Sequence, residues 1–515
     1  MTDNEAPAVD VLIVGGGSAG AVLAARLSED PHRSVVLLEA GPAYDAGSFP
    51  PSLLDATVVA DPLHDWGYTA RGGEHAPQIP APRGRTLGGS SAVNAGVAVR
   101  ARATDFATWR AHGLDGWSFE DVLPTFKALE NTPDGDDAYH GRSGPLAVRR
   151  RSYDEQTPPI RAFIDAAVLQ GFKRLHDFNG ADQDGVDSGP SNVVDGVRQN
   201  TALAYLTPPV RSRPNLTIHG DVTVDRVLFD GRTATGVVTA DGAVHHAREV
   251  ILSAGSYGSA AILLRSGIGP ASDLADLGIE VVADLPVGQH LRDHPFYHNV
   301  YALTPEAAIP PTPAGGAILW AASSEAVDDE LDLHVTAFLL PPHLSPTGGA
   351  IDFAVALVRP ESSGTLRLAG RDPAVPPVID DNYLATGRDQ RRMAEAVRLA
   401  RAIARNPAFA PLVATELAPG DGVPDDDLAA VVAANVATYG HPAGTAPMGG
   451  PQDTRAVVDG TGAVKGVTAL RVIDASILPE LPSAAINLTV IMVAEHLSRR
   501  VYGAHQRGEE TSVRR

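Results

Sequence analysis

Apolar and polar positions fall into three regimes along the chain. Near the N-terminus, Val11–Val14 is an unbroken apolar run, the pattern of a parallel strand buried on both faces. A helix of small residues, Ala19–Leu27, follows. After Pro31, SVVLLEAG predicts a second buried strand ending at Glu39. Phe119–Glu130 predicts an amphipathic helix capped by Ser118, and TPPIRAFIDAAVLQGF predicts another. Between Asn215 and Gly255 the residues alternate around Asp-Gly turns, which predicts a β-meander returning to a buried strand, EVILSAG. YGSAAILLRSGIGP then predicts a helix stopped by Gly267 and Gly269. From about residue 295, DLHVTAFLL, IDFAVALV and GTLRLAG show period two, as an antiparallel sheet with one buried face would. RDQRRMAEAVRLARAIAR predicts a helix with Met393, Val397, Ala400 and Ala404 on its apolar face and arginines solvating the other. LRVIDASILP and a final helix close the chain. The order predicts an α/β protein: a nucleotide-binding domain built from separated segments, with a second sheet inserted.

The first strand runs into Gly15-x-Gly17-x-x-Gly20. Gly15 allows a tight strand-to-helix turn, Gly17 lets backbone approach a pyrophosphate, and Gly20 lets helix and strand pack closely. The helix N-terminus offers free N–H groups to the phosphates. Glu39 is placed to accept hydrogen bonds from a ribose diol and disfavours a 2′-phosphate. Strand, glycines, helix, strand and acid in that order predict a dinucleotide site, with FAD and NAD both open. DGTGAVKG, Asp459–Gly466, has no helix pattern after it and reads as a β-turn. Residues from Gly41 to about 80 read as loop covering the nucleotide site.

The net charge of −21 argues against nucleic acid and anionic membrane as partners. The absence of cysteine excludes disulfides and thiolate chemistry. MTDNEAPAVD is not a secretory signal, and no apolar run approaches the ~20 residues of a membrane span. A cytoplasmic location is expected, with a frayed tail, HQRGEETSVRR. His290, His294 and His298 recur every four residues and would share one helix face, as a metal site requires. Pro295 interrupts that helix, and no thiolate or carboxylate completes a zinc pattern. No metal is therefore predicted, and LRDH reads as a loop near the cofactor.

Four stretches together resemble the glucose–methanol–choline (GMC) family of flavin oxidoreductases. They are the N-terminal fingerprint, RGRTLGGSSAVNAG, GSYGSAAILLRSGIGP, and the closing pair YGHPAGTAPMG and VIDASILPELPSAAINLTVIMVAEH. The resemblance spans nearly the whole chain and implies FAD rather than NAD. It implies a Rossmann-like FAD-binding domain in discontinuous segments, residues 1–155, 206–292 and 431–515. An inserted α+β substrate domain, residues 156–205 and 293–430, would roof the flavin with a mainly antiparallel sheet. The resemblance places Gly15, Gly17, Ser18, Ala19, Gly20, Glu39 and Ala40 at the ADP part. It places Arg85, Gly88, Gly89, Ser90, Asn94 and Ala95 in a loop along the flavin, and Val224 on the adenine. Asp474 and Ala475 match backbone contacts near the pyrophosphate and ring. Ala254, Gly255, Asn487 and Thr489 are further cofactor-binding positions. His441 matches the catalytic histidine and Asn487 the second active-site position. Val93 stands where some members carry the histidine that attaches FAD covalently, which implies dissociable FAD.

The implied chemistry is oxidation of a primary alcohol to the aldehyde. A hydride goes to flavin N5, His441 takes the hydroxyl proton, and Asn487 holds the substrate oxygen. Glycine and other small residues around His441 leave room for a flat ring. Asn487 is also placed to cap the helix LTVIMVAEHL, on which His496 is structural. A non-redox lyase of hydroxynitrile lyase type is the alternative on this scaffold, and a flavin-binding protein without catalysis is a third. A choline-like substrate would call for carboxylates and aromatic rings. The apolar segment Ile309–Trp320 is expected to line or cover the pocket, which favours an uncharged, aromatic or heteroaromatic alcohol. Oxygen or another acceptor completes the cycle.

Overall fold

Val11–Val14 is buried at every position because strands flank it on both sides. In the computed structural model, which describes residues 8–311, 316–328 and 330–503, Val9–Val14 lies between Val35–Leu38 and Val244–Leu252. Leu216–His219 adds outside Val35–Leu38, and Leu470–Val472 adds beside the C-terminal end of Val244–Leu252. These five strands are parallel. The N-terminal half of Val244–Leu252 pairs instead with Thr233–Thr239, and that strand with Val224–Asp230, both antiparallel. The predicted meander therefore needs one correction. Leu216 is buried and Thr217 exposed, so Leu216–His219 serves as a one-sided edge and leaves the meander for the parallel sheet. The C-terminal ends of the parallel strands lead to Gly15, Glu39, Ser253 and Asp474, which all line one cavity. That is where an open α/β sheet binds its ligand.

Ser18–Leu27 packs against the sheet and against the last α-helix, Ile486–Leu497. Fully buried Glu495 holds Arg26 at 2.7 Å between these helices. His496 Nε2 is 3.1 Å from the Gly116 carbonyl, a structural contact. The last helix starts after Ala485. Asn487 is thus inside its first turn and does not cap it, contrary to expectation. Phe119–Leu129 forms with Ser118 and Asp121 in a reciprocal capping box.

The second sheet is antiparallel. Its order is Val413–Ala418, Val300–Leu303, Ala350–Leu357, Leu333–Leu340, Ala317–Ala321 and Gly185–Ser188. Pro295–Tyr297 joins Ala350–Leu357 to Ala437–Thr438. Two expectations fail here. Ala350–Leu357 is buried along its whole length, not on one face, since Gly387–Ala404 packs on the sheet while Ala354 and Ala356 join a second apolar cluster with Phe296 and Trp320. Thr365–Arg367 pairs with Val378–Asp380 in a separate small sheet.

Met393, Val397, Ala400 and Ala404 of Gly387–Ala404 are buried, as expected. Two of its arginines are not on the solvent face. Arg392 has no exposed side-chain surface and bridges Asp332 at 3.0 Å and Asp389 at 2.6 Å, both equally buried. Arg401 reaches buried Glu416 at 2.9 Å. A buried pair broken on one side leaves an uncompensated charge. Arg392→Ala is therefore expected to lower stability by about 3–5 kcal/mol, read from the denaturant midpoint. An unchanged midpoint would contradict the ion-pair assignment.

The acidic N-terminal stretch through residue 7, the C-terminal tail and residues 312–315 of the expected pocket cover lie outside the described residues. Among the described residues, no helix is long and apolar enough to cross a membrane.

Candidate active site

One cavity of about 1210 Å³ runs from the ends of the parallel strands to the second sheet. At its first end two glycine loops meet. Gly15 has φ 95°, and a Cβ there would fall 2.5 Å from the Ser253 carbonyl oxygen. A Cβ on Gly89, at φ 52°, would fall 2.7 Å from the Gly17 Cα. Side chains at these points would close the floor of the cavity. A Cβ on Gly20 would lie 1.8 Å from the Gly15 carbonyl oxygen, so Gly20 serves helix–strand packing. The helix Ser18–Leu27 has no side-chain cap and no acid in its first turn, which leaves its N–H groups for an anion. Glu39 is buried, and its two oxygens accept the N–H groups of Gly16 at 2.7 Å and Gly41 at 2.8 Å. Burial pushes its carboxyl up to about 7, against the opposing effect of those N–H bonds. Glycine floor, unspent helix N-terminus and strand-end carboxylate fit the ADP part of FAD.

The other end is built around His441. Its backbone N–H donates to Asp293 Oδ1 at 2.8 Å. The Asp293 Oδ2 accepts the hydroxyls of Thr438 at 2.5 Å and Tyr383 at 2.7 Å. Arg83 donates to the Gly440 carbonyl at 2.8 Å. These bonds tie the loop down as far as the histidine, and beyond it the Pro442 carbonyl accepts the Ser256 hydroxyl at 2.6 Å. The His441 Nδ1 lies 2.9 Å from the Nδ1 of His294. Burial, then the neighbouring His294, Arg83 and His334, hold the His441 pKa well below the usual imidazole value. Burial and His334 lower His294 to about 3. Both rings are neutral near pH 7, so a single proton occupies the Nδ1–Nδ1 contact.

Asn487 lines the same end. Its Oδ1 accepts the Ser18 hydroxyl at 2.7 Å. Tyr439 sits beside His441 with ring centroids 4.4 Å apart. Phe296 stacks on Tyr439 at 4.5 Å.

The structure brings most of the expected residues to this cavity. Gly15, Gly17, Ser18, Ala19, Glu39, Ala40, Arg85, Gly89, Ser90, Asn94, Ala95, Val224, Ala254, Gly255, Asp474, Ala475, His441 and Asn487 line it. Ala56, Val59, Ala60, Trp66 and Tyr68 of the loop after Gly41 do so as well. Three expected cofactor residues stand behind the wall. Gly20 packs on Gly15, Gly88 donates its N–H to the Gly16 carbonyl at 2.8 Å, and Thr489 is buried in the last helix. Asp474 acts through its side chain: one carboxylate oxygen takes the Gly255 N–H at 2.9 Å and the Ser259 hydroxyl at 2.6 Å. His290, His294 and His298 do not share a helix face. His294 meets His441, and His298 meets Asp352. Among the described residues no His, Asp and Glu cluster is arranged to hold a metal. LRDH does pass the site, as expected. The pairing of its Asp293 and His294 with the His441 loop was not foreseen, and no local pattern signals a contact across 147 residues.

Residues 9–296 and 360–494 match the two domain models described as GMC oxidoreductase. The chain is 36% identical over 534 residues to an oxygen-dependent choline dehydrogenase of Ectopseudomonas mendocina (strain ymp), covering 96% of this chain and 94% of that protein. Its fold is similar to pyridoxine 4-oxidase from Mesorbium loti, with TM-score 0.88, 33% identity, and coverage of 96% and 100% of the two chains. It is also similar to a formate oxidase of Aspergillus oryzae RIB40, with TM-score 0.87, 26% identity, and coverage of 97% and 98%. With its glycine-floored dinucleotide cavity, the chain belongs to the GMC family of FAD-dependent alcohol oxidoreductases.

Proposed function

We propose that this enzyme oxidises a primary alcohol that bears an aromatic or heteroaromatic group and no cation to the aldehyde, with His441 as general base. The wall around His441 carries this reading. Tyr439, Phe296 and Phe338 present rings to the cavity. Glu39 and Asp474 are the two carboxylates that line it among the described residues, and both belong to the strand ends of the nucleotide half. A quaternary ammonium would find no carboxylate in the cavity lining beside His441, because Asp293 stands behind that wall.

Bound FAD supplies the acceptor for the hydride that leaves the carbinol carbon. The protein handles the proton and the geometry. The one proton of the Nδ1–Nδ1 contact is assigned to His441, so that His294 Nδ1 accepts it. His441 then donates from Nδ1 and keeps Nε2 bare for the substrate hydroxyl. The Asn487 NH₂ donates to the same oxygen and steadies the charge that develops there. Tyr439 and Phe296 give the ring of the alcohol an apolar seat that fixes the carbinol. Val93 offers no nucleophile to the flavin, so FAD is held without a covalent bond.

A panel of benzyl alcohol, pyridylmethanol, ethanol and choline tests the reading, with aldehyde and peroxide as products. The aromatic alcohols are expected to have the highest kcat/KM. Preference for choline would overturn the substrate class. Peroxide formation tests oxygen as the acceptor. The relatives reported above are oxidases and dehydrogenases, and no observation favours the lyase alternative.

Glu39 gives a pH prediction for the apoprotein. The ionised carboxylate is the form that accepts ribose hydroxyls, so binding favours proton release. With the carboxyl raised to about 7 by burial, FAD affinity should strengthen as pH rises from 6 to 8, by up to roughly tenfold for a one-unit shift on binding. Fluorescence titration of FAD checks this, and Glu39→Gln should flatten the slope.

A further inference from the structure

Phe296 faces the cavity from the strand Pro295–Tyr297, and two residues later His298 faces it as well. The His298 ring meets Phe296 edge-on at 4.9 Å. Rings therefore run in contact from His441 through Tyr439 and Phe296 to His298. The His298 side chain is 53% exposed, whereas Asp352, 2.5 Å from its Nδ1, has no exposed side-chain surface. The second carboxylate oxygen of Asp352 is buried and has no hydrogen-bond partner. Asp352 is opposite Phe338, which also lines the cavity.

A buried carboxylate is costly unless a cation or hydrogen bonds compensate it. Ala354 and Ala356 continue the strand from Asp352 with small apolar side chains, so packing alone does not call for an acid here. What Asp352 does is fix a proton on His298 Nδ1 and turn Nε2 to the cavity. Burial opposes charge on His298, but the hydrogen bond and charge of Asp352 raise its pKa above the ordinary value. The other titratable groups on the packed strands are engaged elsewhere. Glu416 is taken by Arg401, and burial lowers His334 to about 3. No partner for His298 Nε2 occurs among the described residues.

We propose that His298, protonated on both ring nitrogens, is a substrate-recognition residue whose Nε2–H donates to an acidic oxygen, carboxylate or phenolic, at the end of the aromatic alcohol remote from its carbinol. Asp352 is its positioning residue. The inference rests on the aromatic-alcohol reading above and narrows it to alcohols that carry a second, acidic group.

The test uses holoenzyme and four alcohols: benzyl alcohol, 4-(hydroxymethyl)phenol, 4-(hydroxymethyl)benzoate, and the homologue of the benzoate extended by two carbons. In the wild type at least one acid-bearing alcohol should exceed benzyl alcohol tenfold in kcat/KM. The favoured compound shows whether the oxygen is phenolic or carboxylic. In His298→Gln that ratio should fall at least fivefold, through KM rather than kcat, and Asp352→Asn should lower it in the same direction. The non-oxidisable 4-methylbenzoate and 4-methylphenol give a readout without turnover. The tighter of the two in the wild type, followed by the flavin absorbance difference, should have its Kd raised about tenfold in His298→Gln. Turnover of benzyl alcohol with the ratio and Kd unchanged in His298→Gln would overturn this inference alone. Absence of turnover with all four alcohols would overturn the underlying reading as well.

Discussion

Replacing His441 by alanine is expected to lower kcat by roughly 10²–10⁴-fold, the usual worth of a general base, while the protein still binds FAD. His441 holds no part of the glycine floor, so flavin content should survive the change. The pH profile separates loss of the base from loss of shape. A base must be unprotonated, and burial holds the His441 pKa well below 6.5. Wild-type kcat/KM should therefore stay level as pH falls to 6.5, with its acid limb lower still. In His441→Ala the residual rate should lack that limb. A variant that kept wild-type kcat would remove His441 from the mechanism.

The second large effect is expected at Gly89. Alanine there would place its Cβ 2.7 Å from the Gly17 Cα at a φ of 52°. The clash is with backbone, which cannot swing aside as a side chain would. An overpacking strain of about 3 kcal/mol corresponds to roughly 10²-fold in Kd. Gly89→Ala should thus purify largely without flavin and titrate with FAD at a Kd about 10² above the wild type. Gly422→Ala is the control, because nothing lies within 4 Å of a Cβ there. Equal FAD affinity in Gly89→Ala and the wild type would mean that the two loops do not clamp the cofactor.

Local patterns were the legible ones. The run from Val11 through Gly15, Gly17 and Gly20 to Glu39 is written within a few dozen residues. Each glycine answers a steric demand of its immediate neighbours. His441 was legible because the small residues around it mark close backbone approach. Contacts between distant segments were not legible. The Nδ1–Nδ1 contact of His294 with His441 joins two strand-edge loops that the second sheet brings together. Arg392 and Arg401 look like any arginine on a helix, and only the strands and loops packed against them supply Asp332 and Glu416. Leu216–His219 alternates like the strands after it, yet it pairs with Val35–Leu38. Asn487 resembles a helix cap in sequence, but the helix begins one residue earlier and its amide carbonyl accepts from Ser18.

Proton removal by a neutral imidazole, coupled to electron transfer into flavin, is tested most directly by anaerobic rapid mixing of holoenzyme with benzyl alcohol. The bound flavin absorbance should bleach in one turnover, several-fold more slowly with the α-dideuterated alcohol and at least about 10²-fold more slowly in His441→Ala. A flavin that stays oxidised while the alcohol is consumed, or bleaching at the wild-type rate in His441→Ala, would contradict it.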